Sequence, residues 1–120
     1  MGKYNELLAY KLSYALAKEV FFITKGFPKE ELFGLSDQIR RSSRSVCVNI
    51  VEAYRKRIYP KHFVMKLSDA DGECSETIVW IDMAFDFGYI HAETHDHLLE
   101  EYERVGRIIG TMMKSPAKFR

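Results

Sequence analysis

Residues 63–88, FVMKLSDADGECSETIVWIDMAFDFG, carry the pattern that decides the fold. Phe63, Leu67, Ala70, Cys74, Thr77, Ile81, Ala84 and Gly88 follow one another at alternating steps of four and three, so one face stays small or apolar for more than three heptads. A strand would alternate with period two, whereas this repeat is the seam of packed helices. In the preceding segment Leu35, Ile39, Val46, Ile50 and Ala53 share a face, Ser36 is a fitting N-cap, and Tyr59-Pro60 ends a helix that runs to about Ile58. Nearer the N-terminus Leu12, Leu16, Val20, Ile23 and Phe27 form a stripe on a helix of about residues 5–24, with Gly26 as C-cap and Pro28 as breaker. After the seam, Leu98, Tyr102, Val105, Ile109 and Met112 mark a helix from about Ala92 to Lys114, stopped by Ser115-Pro116. Four helices joined by short turns predict an all-α, antiparallel up-down-up-down four-helix bundle, one domain over residues 1–120.

The chain has 120 residues, 47% hydrophobic and 29% charged, which suits one packed core and excludes a disordered or fibrous class. Val20–Ile23 and Ile78–Ile81 are the longest aliphatic or aromatic runs, four residues each, so neither an export signal nor a membrane span is expected. Glu6 stands where N-myristoylation wants Ser or Thr. Cys47 and Cys74 cannot build a disulfide framework, and they read as small core residues of a cytoplasmic protein. Seven Tyr, eight Phe and one Trp exceed what one slim bundle can enclose, so some are expected at subunit contacts of a homo-oligomer.

The formal net charge of +1 conceals strong segregation. Residues 36–66 hold eight Lys/Arg against two acids, residues 67–103 hold eleven acids and no Lys or Arg, and residues 104–120 hold five Lys/Arg and no acid. At 100° per residue Arg40, Arg44 and Arg55 fall within about 60° of one another, with Arg41 beside them. Asp69, Glu73 and Glu76 make an acidic stripe on the next helix. One reading pairs the two stripes, each exposed pair contributing about 0–1 kcal/mol. The other lets Arg40, Arg41, Arg44, Arg55, Lys56 and Arg57, with Arg104 and Arg107 second, neutralise phosphates.

No catalytic constellation accompanies these charges. His91-Ala-Glu-Thr-His95 does not have the zinc-protease order His-Glu-x-x-His, and no Glu-x-x-His marks a di-metal bundle. Ser42, Ser43 and Ser45 have no partnered base, and Cys47 has no histidine on its helix to act as one. No metal, cofactor or small-molecule substrate is expected, and an enzyme is the least favoured class. Asn49 and Glu52 read as a partly buried hydrogen-bonding pair at a helix or subunit contact.

Phe27-Pro28-Lys29-Glu30-Glu31, Gly34-Leu35-Ser36-Asp37-Gln38-Ile39-Arg40-Arg41, Ser45 and Asn49-Ile50-Val51-Glu52 resemble the signature of the 23S ribosomal RNA intervening-sequence protein family. Ala70-x-Gly72-x-x-x-Glu76, Phe87-Gly88-Tyr89-Ile90 and Arg104-Val105-Gly106-Arg107-Ile108-Ile109-Gly110 extend the likeness over nearly the whole chain. Cys47, Val51, Ala53 and Glu73 depart from the usual Pro, Ala, Gly and Ser; the absence of the proline should make the second helix more continuous, and Ala53 with Tyr54 should carry it further. The resemblance implies a bacterial four-helix bundle assembling as a homopentamer, with Gln38, Asn49, Glu52, Gly72 and Glu76 as its structural or interface motif. The last run is also similar to accessory variability proteins of diversity-generating retroelements, a branch that binds nucleic acid and a reverse transcriptase. The expected function is therefore a non-catalytic oligomer offering a basic surface to structured RNA or a ribonucleoprotein. The alternatives are that accessory role or a purely structural protein-interaction oligomer.

Overall fold

The computed structural model describes residue 4 and residues 7–120. Four α-helices, Leu8–Thr24 (α1), Leu35–Arg55 (α2), Pro60–Asp86 (α3) and Ala92–Lys114 (α4), make the fold, with short 3-10 turns at Lys29–Glu31 and Pro116–Phe119. No strand occurs among the described residues. Residues 5 and 6 of the expected first helix lie outside the described residues. The 27 residues of α3 span about 40 Å at ~1.5 Å per residue, which accounts for most of the 45 Å long axis. Consecutive helices pack side by side, and α1 also meets α4. Contacts between neighbouring helices include Glu52, late in α2, with Lys66, early in α3; Arg41, early in α2, with Glu73 near the middle of α3; and Cys74 with Tyr102, each near the middle of its helix.

The α3 seam is the core. Phe63, Leu67, Ala70, Thr77, Ile81 and Ala84 are fully buried, and Cys74 nearly so. Gly88 departs from the expectation: it is exposed and ends the helix with φ +81°. There its N–H donates to Phe85 O at 3.0 Å and Tyr89 N–H donates to Ala84 O at 2.8 Å, the paired bonds of a glycine-terminated helix. At the other end Pro60 occupies the first turn of α3, where the missing N–H costs nothing.

Three helix ends and part of one stripe differ from the sequence reading. Ser36 is not an N-cap; it is buried one position inside α2, and the Glu31 carboxylate reaches forward to accept the Leu35 N–H at 3.0 Å. The second helix stops at Arg55, three residues before Ile58. Gly26 follows the α1 C-cap Lys25 without a positive φ, so no left-handed cap forms there. The buried stripe of α1 is Ala9, Ser13, Leu16, Val20 and Thr24, while Leu12 and Ile23 flank it half-buried. Ser13 and Thr24 donate to Tyr10 O and Phe21 O at 3.2 and 2.9 Å, so their hydroxyls are satisfied locally and they pack as small residues. Two aromatics of α1 lie away from the core: Phe22 is 62% and Tyr14 51% exposed.

Polar atoms inside the bundle are nearly all accounted for. Thr77 donates to Glu73 O at 2.8 Å, and its oxygen lies 2.8 Å from that of Ser42 on α2. Both cysteines are free and buried; burial pushes the Cys74 thiol up to about 12 and the Cys47 thiol upward as well, which disfavours the thiolate of each. The buried Tyr102 hydroxyl closes no hydrogen bond among the described residues.

Candidate functional site

The arginine stripe of α2 divides in the folded chain. Arg40 leans toward α1, donating from Nε to Thr24 Oγ1 at 2.7 Å with its guanidinium 5.1 Å from the Phe21 ring centre. Arg41 leans the opposite way, its Nη1 3.2 Å from Glu73 Oε2 and its Nη2 paired with Glu76. Arg44 has no ion pair or hydrogen bond among the described residues and stands at the rim of a groove of about 370 Å³ between α1 and α2. Tyr14, Ala17, Phe21, Phe22, Cys47 and Val48 supply the apolar lining. Arg55 reaches the far end of α2, its guanidinium 5.9 Å from the Tyr4 ring centre.

The outer face of α2 and α3 gathers the five motif residues. Gln38 Oε1 accepts from Arg41 Nε at 3.4 Å, and Trp80 Nε1 donates to Glu76 Oε1 at 3.3 Å. Asn49 and Glu52 do not bond to each other as expected: Asn49 donates to Ser45 O at 2.9 Å, and Glu52 pairs with Lys66 at 2.8 Å. The reason is helical geometry, since Ser45 stands one turn before Asn49 and Lys66 faces Glu52 across the helix pair. Gly72 lies in the shallow groove between Asn49 and Glu73, and a Cβ there would meet nothing within 4 Å. Packing within this chain therefore does not require the glycine.

Arg41 is the hub of this network. The guanidinium beside Glu76 holds that carboxyl below the usual carboxylate range, with a smaller opposing effect of burial. Because the folded value is depressed, the stabilisation is complete above the unfolded value near 4.5 and is lost as pH falls through the folded one. Thermal unfolding followed by circular dichroism should thus show stability falling below about pH 4.5, and Glu76→Gln should flatten that part of the curve. With Arg41 and Glu76 both partly exposed, the effect should stay within about 1 kcal/mol. An unchanged acid limb in the variant would place the dependence elsewhere.

The histidines of α4 do not converge. His91 is the N-cap, His95 sits 2.8 Å from Asp82 and 2.9 Å from Asp96, and His97 lies 2.9 Å from Glu19 on α1. Asp82 and then Asp96 push the His95 pKa up. No group of three metal-ligating side chains is placed to hold an ion among the described residues. Arg104 is 3.8 Å from Glu101, and Arg107 shares a shallow surface with Asp96, Glu100 and Glu103, so both stand among acids.

Among the described residues, cations without an acidic partner concentrate where α2 turns into α3. Arg55, Lys56, Lys61 and His62 are exposed there, and Arg57 is half-buried. Phe119 packs 5.5 Å from Phe63, centre to centre, which brings the C-terminal turn with Lys118 and Arg120 onto the same end beside Lys114. No Asp or Glu occurs between Ala53 and Ser68 or between Arg104 and Arg120. The sequence reading places Arg55, Lys56 and Arg57 among the phosphate contacts of the second helix and does not include Lys61, Lys114, Lys118 or Arg120. Their absence of acidic neighbours was the available signal, but only the Phe63–Phe119 contact joins the two segments. Acidic residues collect at the opposite end, where Glu30 and Glu31 precede α2, Asp82 and Asp86 end α3, and Glu93 and Asp96 begin α4. None of the helices among the described residues is long and apolar enough to cross a membrane.

A crystal structure of a protein of unknown function from the S23 ribosomal protein family of Bacteroides thetaiotaomicron superposes with a TM-score of 0.80 at 23% identity, covering 89% of this chain and 96% of that one. At that identity the likeness speaks for the fold. No curated protein matches the chain. The model of the 23S rRNA-intervening sequence protein family matches residues 5–111, nearly the full length. The four-helix architecture, the α2/α3 motif face and this match agree, and the chain belongs to the 23S rRNA-intervening sequence protein family.

Proposed function

We propose that the protein is a non-catalytic, self-associating bundle of up-down-up-down topology that binds structured RNA through its basic end. The observation that carries the RNA reading is the cluster of Arg55, Lys56, Arg57, Lys61, Lys114, Lys118 and Arg120, none paired with an acid among the described residues, at one end of a 45 Å bundle whose other end is acidic. Cations that have no acidic partner are available to phosphates, and a polarised molecule presents its basic end to a polyanion. The up-down reading is supported by the order of the α2/α3 contacts, in which the later α2 residue Glu52 meets Lys66 and the earlier Arg41 meets the later Glu73.

Self-association is supported by the groove of α1 and α2. Leu8, Tyr14, Phe22 and Val48 are each at least half exposed, and a contiguous apolar face of this kind is what subunit contacts cover. Five copies in a closed ring, as the family resemblance implies, would repeat the basic end around one axis. The same face favours a second reading, a protein-interaction oligomer without RNA.

Binding of a structured RNA measured against salt separates the two. With about six phosphate contacts, affinity should fall roughly a thousandfold between 50 and 200 mM salt. A flat response, or none, would leave the protein-interaction oligomer.

A further inference from the structure

We infer that Tyr59 is a stacking platform for an unpaired base, so that the RNA taken by the basic end carries a bulge or loop and is not a continuous duplex. This rests on the reading of that end as an RNA surface. Tyr59 is the residue before Pro60, and the proline ring keeps such a residue out of the helical region; its φ of −111° and ψ of 92° are extended. The chain therefore leaves α2 and enters α3 with Tyr59 at the corner, its N–H donating to Lys56 O at 2.8 Å. The side chain is 56% exposed at a place where no packing demands an aromatic ring.

Its surroundings favour a nucleic acid. Lys56, Arg57, Lys61 and His62 flank it in sequence without an acid among them. The His62 ring stands 6.1 Å away at 75°, edge to face, which supports Tyr59 from the side. Arg57 is kept out of the way: its guanidinium lies 4.2 Å from the Tyr54 ring centre and donates to Tyr54 O at 3.0 Å. An exposed aromatic ring among cations is the pairing that single-stranded and looped RNA uses, the cations holding phosphates while the ring takes a base face. A protein partner would have to bring its own acids, and among the described residues an anionic bilayer would find Ile58 and Met65 near Tyr59 but not the continuous apolar helix face that membrane binding needs.

The test uses the full chain and two RNA duplexes of equal length, one with a bulged 2-aminopurine and one without. Tyr59→Ala should weaken binding of the bulged RNA about 5- to 150-fold, leave the plain duplex and the salt slope unchanged, and abolish the 2-aminopurine quenching seen with the native chain. Tyr59→Phe should retain both affinity and quenching. Equal binding of the two RNAs by native and Tyr59→Ala chains would overturn the stacking role while the basic end stands. Failure of the native chain to bind either RNA would overturn both. Binding to phosphatidylserine vesicles in place of RNA, lost in Tyr59→Ala, would overturn the base platform in favour of a membrane contact.

Discussion

Replacing Lys56, Lys61 and Lys118 together by glutamate is expected to weaken RNA binding at least about a hundredfold and to reduce the slope of log affinity against log salt by roughly two to three. All three side chains are exposed and none makes an ion pair among the described residues, so their replacement disturbs no internal contact. Each neutralised phosphate releases condensed counterions, and removing a cation forfeits that release while the new carboxylate repels the backbone. Filter binding or fluorescence anisotropy at several salt concentrations reads both quantities. Arg44→Glu on the α1/α2 groove is the matched control. It should alter the sedimentation of the protein and leave the RNA slope intact, because Arg44 lies beside Phe22 and Val48 and away from the basic end. The reverse pattern, with Arg44→Glu abolishing binding and the triple variant neutral, would return the RNA surface to the middle of α2. A native chain that sediments as a concentration-independent monomer would remove the oligomer.

Phe63→Ala is expected to cost about 3–5 kcal/mol, the range for emptying a fully buried phenylalanine site. Phe63 has no exposed surface, sits one turn into α3, and stacks on Phe119 at 5.5 Å, so its loss opens a void that also loosens the C-terminal turn. Domains of this size are stable by about 5–15 kcal/mol, so the variant should unfold roughly 10–20 °C below the native chain in calorimetry. Phe22→Ala provides the contrast. At 62% exposure its direct cost to the folded bundle should be within about 0.5 kcal/mol. A loss below about 1 kcal/mol for Phe63→Ala would show that the seam is not the packed centre.

Much of the architecture was legible because burial and helical periodicity are the same constraint seen twice. The steps of four and three from Phe63 to Ala84 define one face of α3, and every one of those residues is buried. Leu35, Ile39, Val46, Ile50 and Ala53 on α2 and Leu98, Tyr102, Val105, Ile109 and Met112 on α4 behave likewise. The stripe of α1 was legible in part: Leu16, Val20 and Phe27 are buried, but Leu12 and Ile23 only flank the core, whose other positions include Ser13 and Thr24 with hydroxyls that return to the helix backbone. An apolar count passes over residues that hide their polarity in this way.

The candidate site was legible only in pieces. Arg40 and Arg41 are adjacent in sequence and share one basic stripe on a helical wheel, yet Thr24 and Phe21 draw one toward α1 while Glu73 and Glu76 draw the other toward α3. Which cation is spent on an internal carboxylate depends on the neighbouring helix, and a wheel contains no neighbours. What the sequence by itself determined is the number of helices, their buried faces and the segregation of charge, because each is a local property of spacing and composition. What only the tertiary structure decided is which cations remain free. The packing of Phe119 on Phe63 brings Lys118 and Arg120 to the corner at Tyr59, joining residues far apart in sequence into one surface. Ion pairs between α2 and α3 withdraw Arg41 and Lys66 from it, since a charge held within hydrogen-bonding distance of a carboxylate is no longer offered to a phosphate.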